Sequence, residues 1–170
     1  MDPGSSDVVD QITQEWRTVR PDVDVGPIEV VGRISRLSRL VDRRLAENFA
    51  RFGLESWMYD MLATLRRQGE PYELSAGELV RHTMVTTGAV TNRVDRLVAR
   101  GLAERATSTD RRKVIVRLTE EGRELVDAVV LSHLEVERQV LQSLTDDEVD
   151  ALSATLRTLL LDLGDRAPGA

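Results

Sequence analysis

Apolar positions recur along most of this chain at three- and four-residue steps, the period of helices that bury one face. Val8, Val9, Ile12, Trp16 and Val19 form the first stripe. Asp7 is placed to cap it, and Arg20-Pro21 to end it, because a residue before proline disfavours the helical basin. Pro27 is suited to opening a second helix, in which Val31, Ile34, Leu37, Val41, Leu45, Phe49 and Phe52 share a face before Gly53 stops it. A third runs from about Glu55 through Trp57, Met58, Met61, Leu62 and Leu65 to Arg67, and QGEPYE breaks it. Ser75-Ala-Gly-Glu78 is a capping-box sequence that starts a short helix, Ala76 to His82. Thr83-Met-Val separates this from a longer, more polar helix that begins at Thr86 and ends at Gly101, and such a pair makes a helix-turn-helix.

After Gly101 the period changes to alternation: LAERA and RKVIVRL are predicted strands joined by TSTDR, a two-stranded wing. Leu118-Thr-Glu-Glu-Gly begins a long helix with Leu125, Val129, Leu134, Val136, Val140 and Leu141 on more than one face, the pattern of a helix buried on several sides. Leu144-Thr-Asp-Asp-Glu148 holds a second capping box. The helix it starts carries Val149, Leu152, Leu156, Leu159, Leu160 and Leu163 on a narrow, coiled-coil-like stripe. The fold expected is mainly α, a winged helix-turn-helix at 54–118 with N-terminal helices at 7–53 and C-terminal helices at 119–164. The ends, 1–6 and 165–170, read as loose. The terminal helices carry more apolar surface than one core needs, so they are expected to form a homodimer; a larger intramolecular core is the other way to bury it.

Composition narrows the function. The chain has 170 residues, 41% hydrophobic and 31% charged, ordinary for one helical domain. It has no cysteine, which excludes disulfides and thiol chemistry. No apolar run approaches the roughly 20 residues that span a bilayer, and the N-terminus lacks a signal pattern. A cytoplasmic protein without a membrane partner is expected. There is no nucleophile–base pair, Gly-rich phosphate loop or metal-ligand spacing, so neither an enzyme nor a cofactor is indicated. His82 and His133 stand alone; His133, on the long helix expected to face a dimer mate, is the one candidate pH switch. Charge is unevenly spread. From Arg81 to Arg117 there are nine Arg or Lys residues against three acids, a local net of +6 in a chain whose net is −6. A basic island in an acidic protein points to a polyanionic partner.

SAGELVRHT, then TTGAVTNRVDRLVARGLAER, then STDRRKVIVRLTEEGREL resemble the MarR family of bacterial transcriptional regulators over roughly Leu54 to Leu125. The wing sequence Asp110-Arg111-Arg112 followed by Leu118-Thr119 and Gly122 is the most specific part. The resemblance implies a dimeric winged helix-turn-helix protein that binds palindromic, double-stranded promoter DNA and releases it on binding a small ligand. A narrower resemblance is to the urate-responsive branch, which has a Trp in an extra N-terminal helix, an Asp before the helix-turn-helix, an Arg in the recognition helix and an Arg twelve residues later. Trp16, Asp60, Arg93 and Arg105 match it. Relatives with this quartet also respond to tricarboxylates such as aconitate, so a urate-like purine and a tricarboxylate both remain open as the anionic ligand. In this reading Trp16 covers a planar ligand, Asp60 bonds its N–H groups or proton, Arg105 holds its charge, and recruitment of Arg93 shifts the recognition helix. Asp60 with an Arg also fits a structural salt bridge, and Trp16 a core anchor.

On a helical wheel Val90, Val94, Leu97 and Val98 form the buried stripe of the recognition helix, with Gly88, Ala89, Asn92 and Arg96 outward. The small Gly88 and Ala89 allow close approach to base edges. Thr86, Thr87 and Thr91 offer hydroxyls near a helix N-terminus that favours phosphate, and Ser75 is a further candidate DNA contact. Asn92 is suited to adenine and Arg96 to guanine or phosphate. Arg93 is a candidate for DNA, ligand or both. At the wing tip Arg111 is suited to a minor groove, with Asp110 holding Arg111 or Arg112 in place. A DNA-architectural protein without ligand control is the alternative function.

Overall fold

Seven helices and three short strands form over residues 6–83, 86–106 and 113–166, the parts of the chain that the computed structural model describes. The helices are α1 (Val8–Val19), α2 (Gly26–Ala50), α3 (Ser56–Arg66), α4 (Ala76–Thr83), α5 (Thr87–Ala99), α6 (Glu120–Leu141) and α7 (Asp146–Asp162). The strands are β1 (Glu73–Ser75), β2 (Ala103–Ala106) and β3 (Ile115–Leu118). The chain divides into two compact units, Met1–Arg44 and Leu45–Ala170.

Local chemistry sets the helix ends. Asp7 accepts hydrogen bonds from the N–H groups of Val9 (2.7 Å) and Asp10 (3.0 Å), and Asp10 answers through the Asp7 N–H, a complete capping box. Thr145 and Glu148 form another at α7. Gly53 (φ 67°) and Gly101 (φ 70°) lie beyond the ends of α2 and α5 in the left-handed region, where a side chain would be strained. In the first unit Arg33 of α2 reaches Asp7 (2.8 Å) and Asp10 (2.6 Å), tying α1 to α2.

The second unit is built around α3. Its Met61, Leu62 and Leu65 are fully buried against Leu79 of α4, Val90, Val94 and Leu97 of α5, Val116 of β3, and Val126 and Val129 of α6. Each such side chain contributes about 1.5–3 kcal/mol of burial. The strands form an antiparallel sheet in the order β1-β3-β2, one strand more than the two-stranded wing predicted. β1 lies in QGEPYE and its continuation, too short to show alternation, and it pairs Glu73 with Arg117 across the sheet. Glu104 of β2 faces Arg117 from the other side. Arg117 forms ion pairs with both carboxylates, at 2.6 Å to Glu73 and 3.6 Å to Glu104, so one guanidinium links the three strands.

The C-terminal helices depart from expectation. Of the α6 residues only Gly122, Val126 and Val129 are buried, while Leu131 is 70% exposed and Leu134 41%. α7 has no buried residue at all. A larger intramolecular core is therefore not what covers these leucines, and α6 is not enclosed on several sides within its own chain. The wing tip, including Asp110, Arg111 and Arg112, the turn at Met84 and Val85, and the ends at 1–5 and 167–170 lie outside the described residues.

Candidate nucleic-acid interface

α5 is anchored by its buried stripe and opened by its cap. The Thr86 hydroxyl accepts from the Ala89 N–H at 3.3 Å and starts the helix, and the Thr91 hydroxyl donates back to the Thr87 carbonyl at 3.1 Å. Val90, Val94 and Leu97 face the core. Thr86, Thr87, Gly88, Thr91 and Asn92 are exposed on the other side, with Ala89 half-buried beside them. Nothing lies within 4 Å of where a Gly88 side chain would begin. The residues assigned to the outer face by helical periodicity are therefore together on it, Arg96 included but otherwise engaged.

Ser75 is committed to the α4 cap. Its hydroxyl and N–H both donate to Glu78 (2.6 and 2.8 Å), and its oxygen accepts from the Glu78 N–H. Those bonds hold the Glu78 carboxyl below the usual carboxylate range. Beside the cap is an open hollow of about 430 Å³ lined by Gly77, Arg81 and Lys113.

The arginines of α5 lie along one flank. The Arg96 guanidinium pairs with Glu55 and sits 4.7 Å from the centroid of the Trp57 ring, and Arg93 sits over the same ring at 5.5 Å. The Trp57 indole N–H donates to Glu55 at 2.8 Å, and Arg100 donates to the Gly53 carbonyl at 2.7 Å. The indole hydrogen bond and, secondarily, Arg96 depress the Glu55 carboxyl. In the sequence Glu55 and Trp57 look like no more than a helix start and an apolar position. Their spacing, two residues apart at a helix N-terminus, held the one available signal.

The candidate anion-binding residues are distributed unevenly. Asp60 is exposed on α3 yet crowded by protein, which pushes its carboxyl above the usual value, while Arg67 and Arg93 pull it back. Among the described residues it makes no ion pair. Arg105, on the face of β2 away from Glu104, is paired with Asp95 of α5 at 2.6 Å. Trp16 belongs to the first unit and is 46% exposed. His133 turns towards its own chain: its ring lies 4.8 Å from Tyr59 and 5.7 Å from Phe49, and Nε2 is 3.2 Å from Glu137. Its Nδ1 is buried without a hydrogen-bond partner among the described residues. His82 is half-buried in the last turn of α4. No described helix is long and apolar enough to cross a membrane.

Comparison with known proteins agrees with this architecture. The MarR family profile matches residues 52–113. The chain is 42% identical over 149 residues to the HTH-type transcriptional regulator PecS of Dickeya dadantii, covering 87% of this chain and 90% of that protein. It is 31% identical over 143 residues to the HTH-type transcriptional repressor NicR of Pseudomonas putida, covering 81% and 89%. A crystal structure of a cysteine-to-serine mutant of E. coli MarR complexed with operator DNA superposes with a TM-score of 0.70 at 26% identity, covering 91% of this chain and 99% of that one. These relatives regulate transcription and are not enzymes. With its exposed recognition helix and three-stranded winged sheet, the chain belongs to the MarR family of DNA-binding transcriptional regulators.

Proposed function

We propose that the protein is a cytoplasmic repressor that binds palindromic promoter DNA as a homodimer and is released by a small anionic ligand, either urate or a related purine, or a tricarboxylate such as aconitate. The outward face of α5 carries the DNA half of this reading. Gly88 leaves room for close approach, Asn92 has the amide suited to adenine, and Thr86, Thr87 and Thr91 surround the helix N-terminus. The homodimer rests on α6 and α7, where Leu141, Leu152, Leu156 and Leu160 line an apolar groove of about 490 Å³ that the chain itself leaves open. Two copies related by a two-fold axis would present two recognition helices to a palindrome. Repression is favoured by the name of NicR, a transcriptional repressor.

The ligand rests on Asp60 and Arg93. A carboxylate held above its ordinary pKa carries a desolvation cost that a ligand N–H or proton would offset. Arg93 is electrostatically coupled to Asp60 and is itself part of α5, so an anion that draws Arg93 inward acts directly on the DNA-reading helix. Such a ligand shifts DNA binding only by its differential affinity for the two arrangements. Titration of urate, xanthine and aconitate into a protein–operator complex, followed by fluorescence anisotropy, should release the DNA at millimolar ligand or below. No release by any of the three would defeat the ligand assignment. Footprinting should show discrete palindromic protection, and broad protection would favour an architectural protein instead.

A further inference from the structure

Arg93, Arg96 and Arg100 span only about 60° of the α5 helical wheel. They lie between the buried stripe of Val90, Val94 and Leu97 and the open face that carries Asn92. All three are held along the turn between α2 and α3. Arg96 has the Glu55 carboxylate and the Trp57 ring, Arg93 has the same ring, and Arg100 has the Gly53 carbonyl. Trp57 is fixed in turn by its own N–H bond to Glu55, so one carboxylate anchors both the aromatic plate and a guanidinium lying on it. On the opposite flank, Asp95 is gripped by Arg105 of β2. α5 is thus braced on both sides by carboxylate–guanidinium pairs. A helix held at its core alone can roll about its axis, and a roll of a few degrees swings its outer side chains across the base edges they read. A pair on each flank opposes that roll.

We propose that Glu55, together with Trp57, is a positioning residue for operator recognition. It clamps Arg96 and thereby fixes the rotation at which Asn92 and the threonines meet the major groove, and Arg96 is a structural arm of the recognition helix and not a DNA contact. This rests on the DNA-reading role of α5 given above. The alternative role for Arg96, a contact to guanine or phosphate, requires it to leave a charge partner and a stacked ring at once.

The test uses the full-length protein and a duplex selected by it from a random-sequence library, with an unrelated duplex as control. Glu55 and Arg96 side chains are 53% and 48% exposed, so Glu55→Gln, Arg96→Gln and the double variant keep the fold, which circular dichroism verifies. Each single substitution should weaken binding to the selected duplex by about fivefold. The double variant should be no weaker than the singles, the signature of one shared interaction. The slope of log affinity against log salt should stay unchanged, and so should binding to the unrelated duplex. In a Trp16→Phe background, both single substitutions should shift the Trp57 emission in the same way. The proposal is overturned if Arg96→Gln lowers the salt slope by about one per protomer, as loss of a phosphate contact would. It is equally overturned if Glu55→Gln leaves selected-duplex affinity unchanged or tightens it. Failure of the unsubstituted protein to select any sequence would instead defeat the operator-reading role of α5 on which the inference stands.

Discussion

Gly122 is the position where a single missing side chain decides most. A Cβ there would lie 1.9 Å from the Leu102 carbonyl oxygen, so α6 reaches the start of β2 only because nothing projects between them. Gly122→Ala should cost about 3 kcal/mol of stability, at the upper end for overpacking against a backbone that cannot yield, read as a drop in denaturation midpoint. Asp60 is the opposite case, a residue that costs stability where it stands. Burial raises its folded pKa above that of a free aspartate. Its contribution to stability is therefore fully present below about pH 4 and is lost as pH rises through the folded pKa. Asp60→Asn should melt at a higher temperature than the parent at pH 7, with the difference shrinking towards pH 3. The same variant should lose its ligand response, and thermal melts with and without ligand read both effects.

At the scale of elements, caps and stops were legible because they are local. Asp7, Thr145 with Glu148, Gly53 and Gly101 act on groups within four residues of themselves, and each does what its sequence context predicts. β1 was not legible: three residues give no period, and the strand exists only because β3, some forty residues later, offers it a ladder. Ser75 shows the two levels meeting, since it closes β1 and also caps α4 with Glu78. The open face of α5 allows a clean separation of stability from recognition. Gly88→Ala meets no atom within 4 Å. It should leave the melting temperature unchanged or raise it slightly, since alanine is favoured over glycine in helices by up to about 1 kcal/mol. Operator affinity should nonetheless fall, because the added methyl occupies the space through which the helix approaches the bases. A melt paired with an anisotropy titration separates the two.

For the whole molecule, the unused apolar surface is the dominant fact. α7 buries none of its residues, and Leu156, Leu159, Leu160 and Leu161 are between 36% and 49% exposed on one helix. An exposed apolar stripe of that kind marks an interaction surface, and the proposed homodimer would cover it. Leu156→Glu should convert a dimer to monomers in sedimentation velocity and reduce operator affinity, since each monomer then holds one half-site alone. A variant that remains a dimer would place the interface elsewhere. The basic island also changes meaning at this scale. Arg96, Arg105 and Arg117 each pair with a carboxylate of the same chain, so part of the charge that pointed to a polyanion already has a partner within the fold.

The sequence by itself determined the order and kind of the helices, their caps, the winged helix-turn-helix and the identity of the outward face of α5. All of these follow from periodicity and from contacts between residues a few positions apart. Only the tertiary structure decided which partners the described arginines meet. Arg96 meets Glu55 from 41 positions away, and Arg105 meets Asp95 across the α5–β2 turn. A guanidinium on an exposed flank has the same sequence signature whether it waits for a phosphate or is already held by a carboxylate. The choice is made by which distant side chain the fold brings within hydrogen-bond reach, and helical spacing carries no record of that.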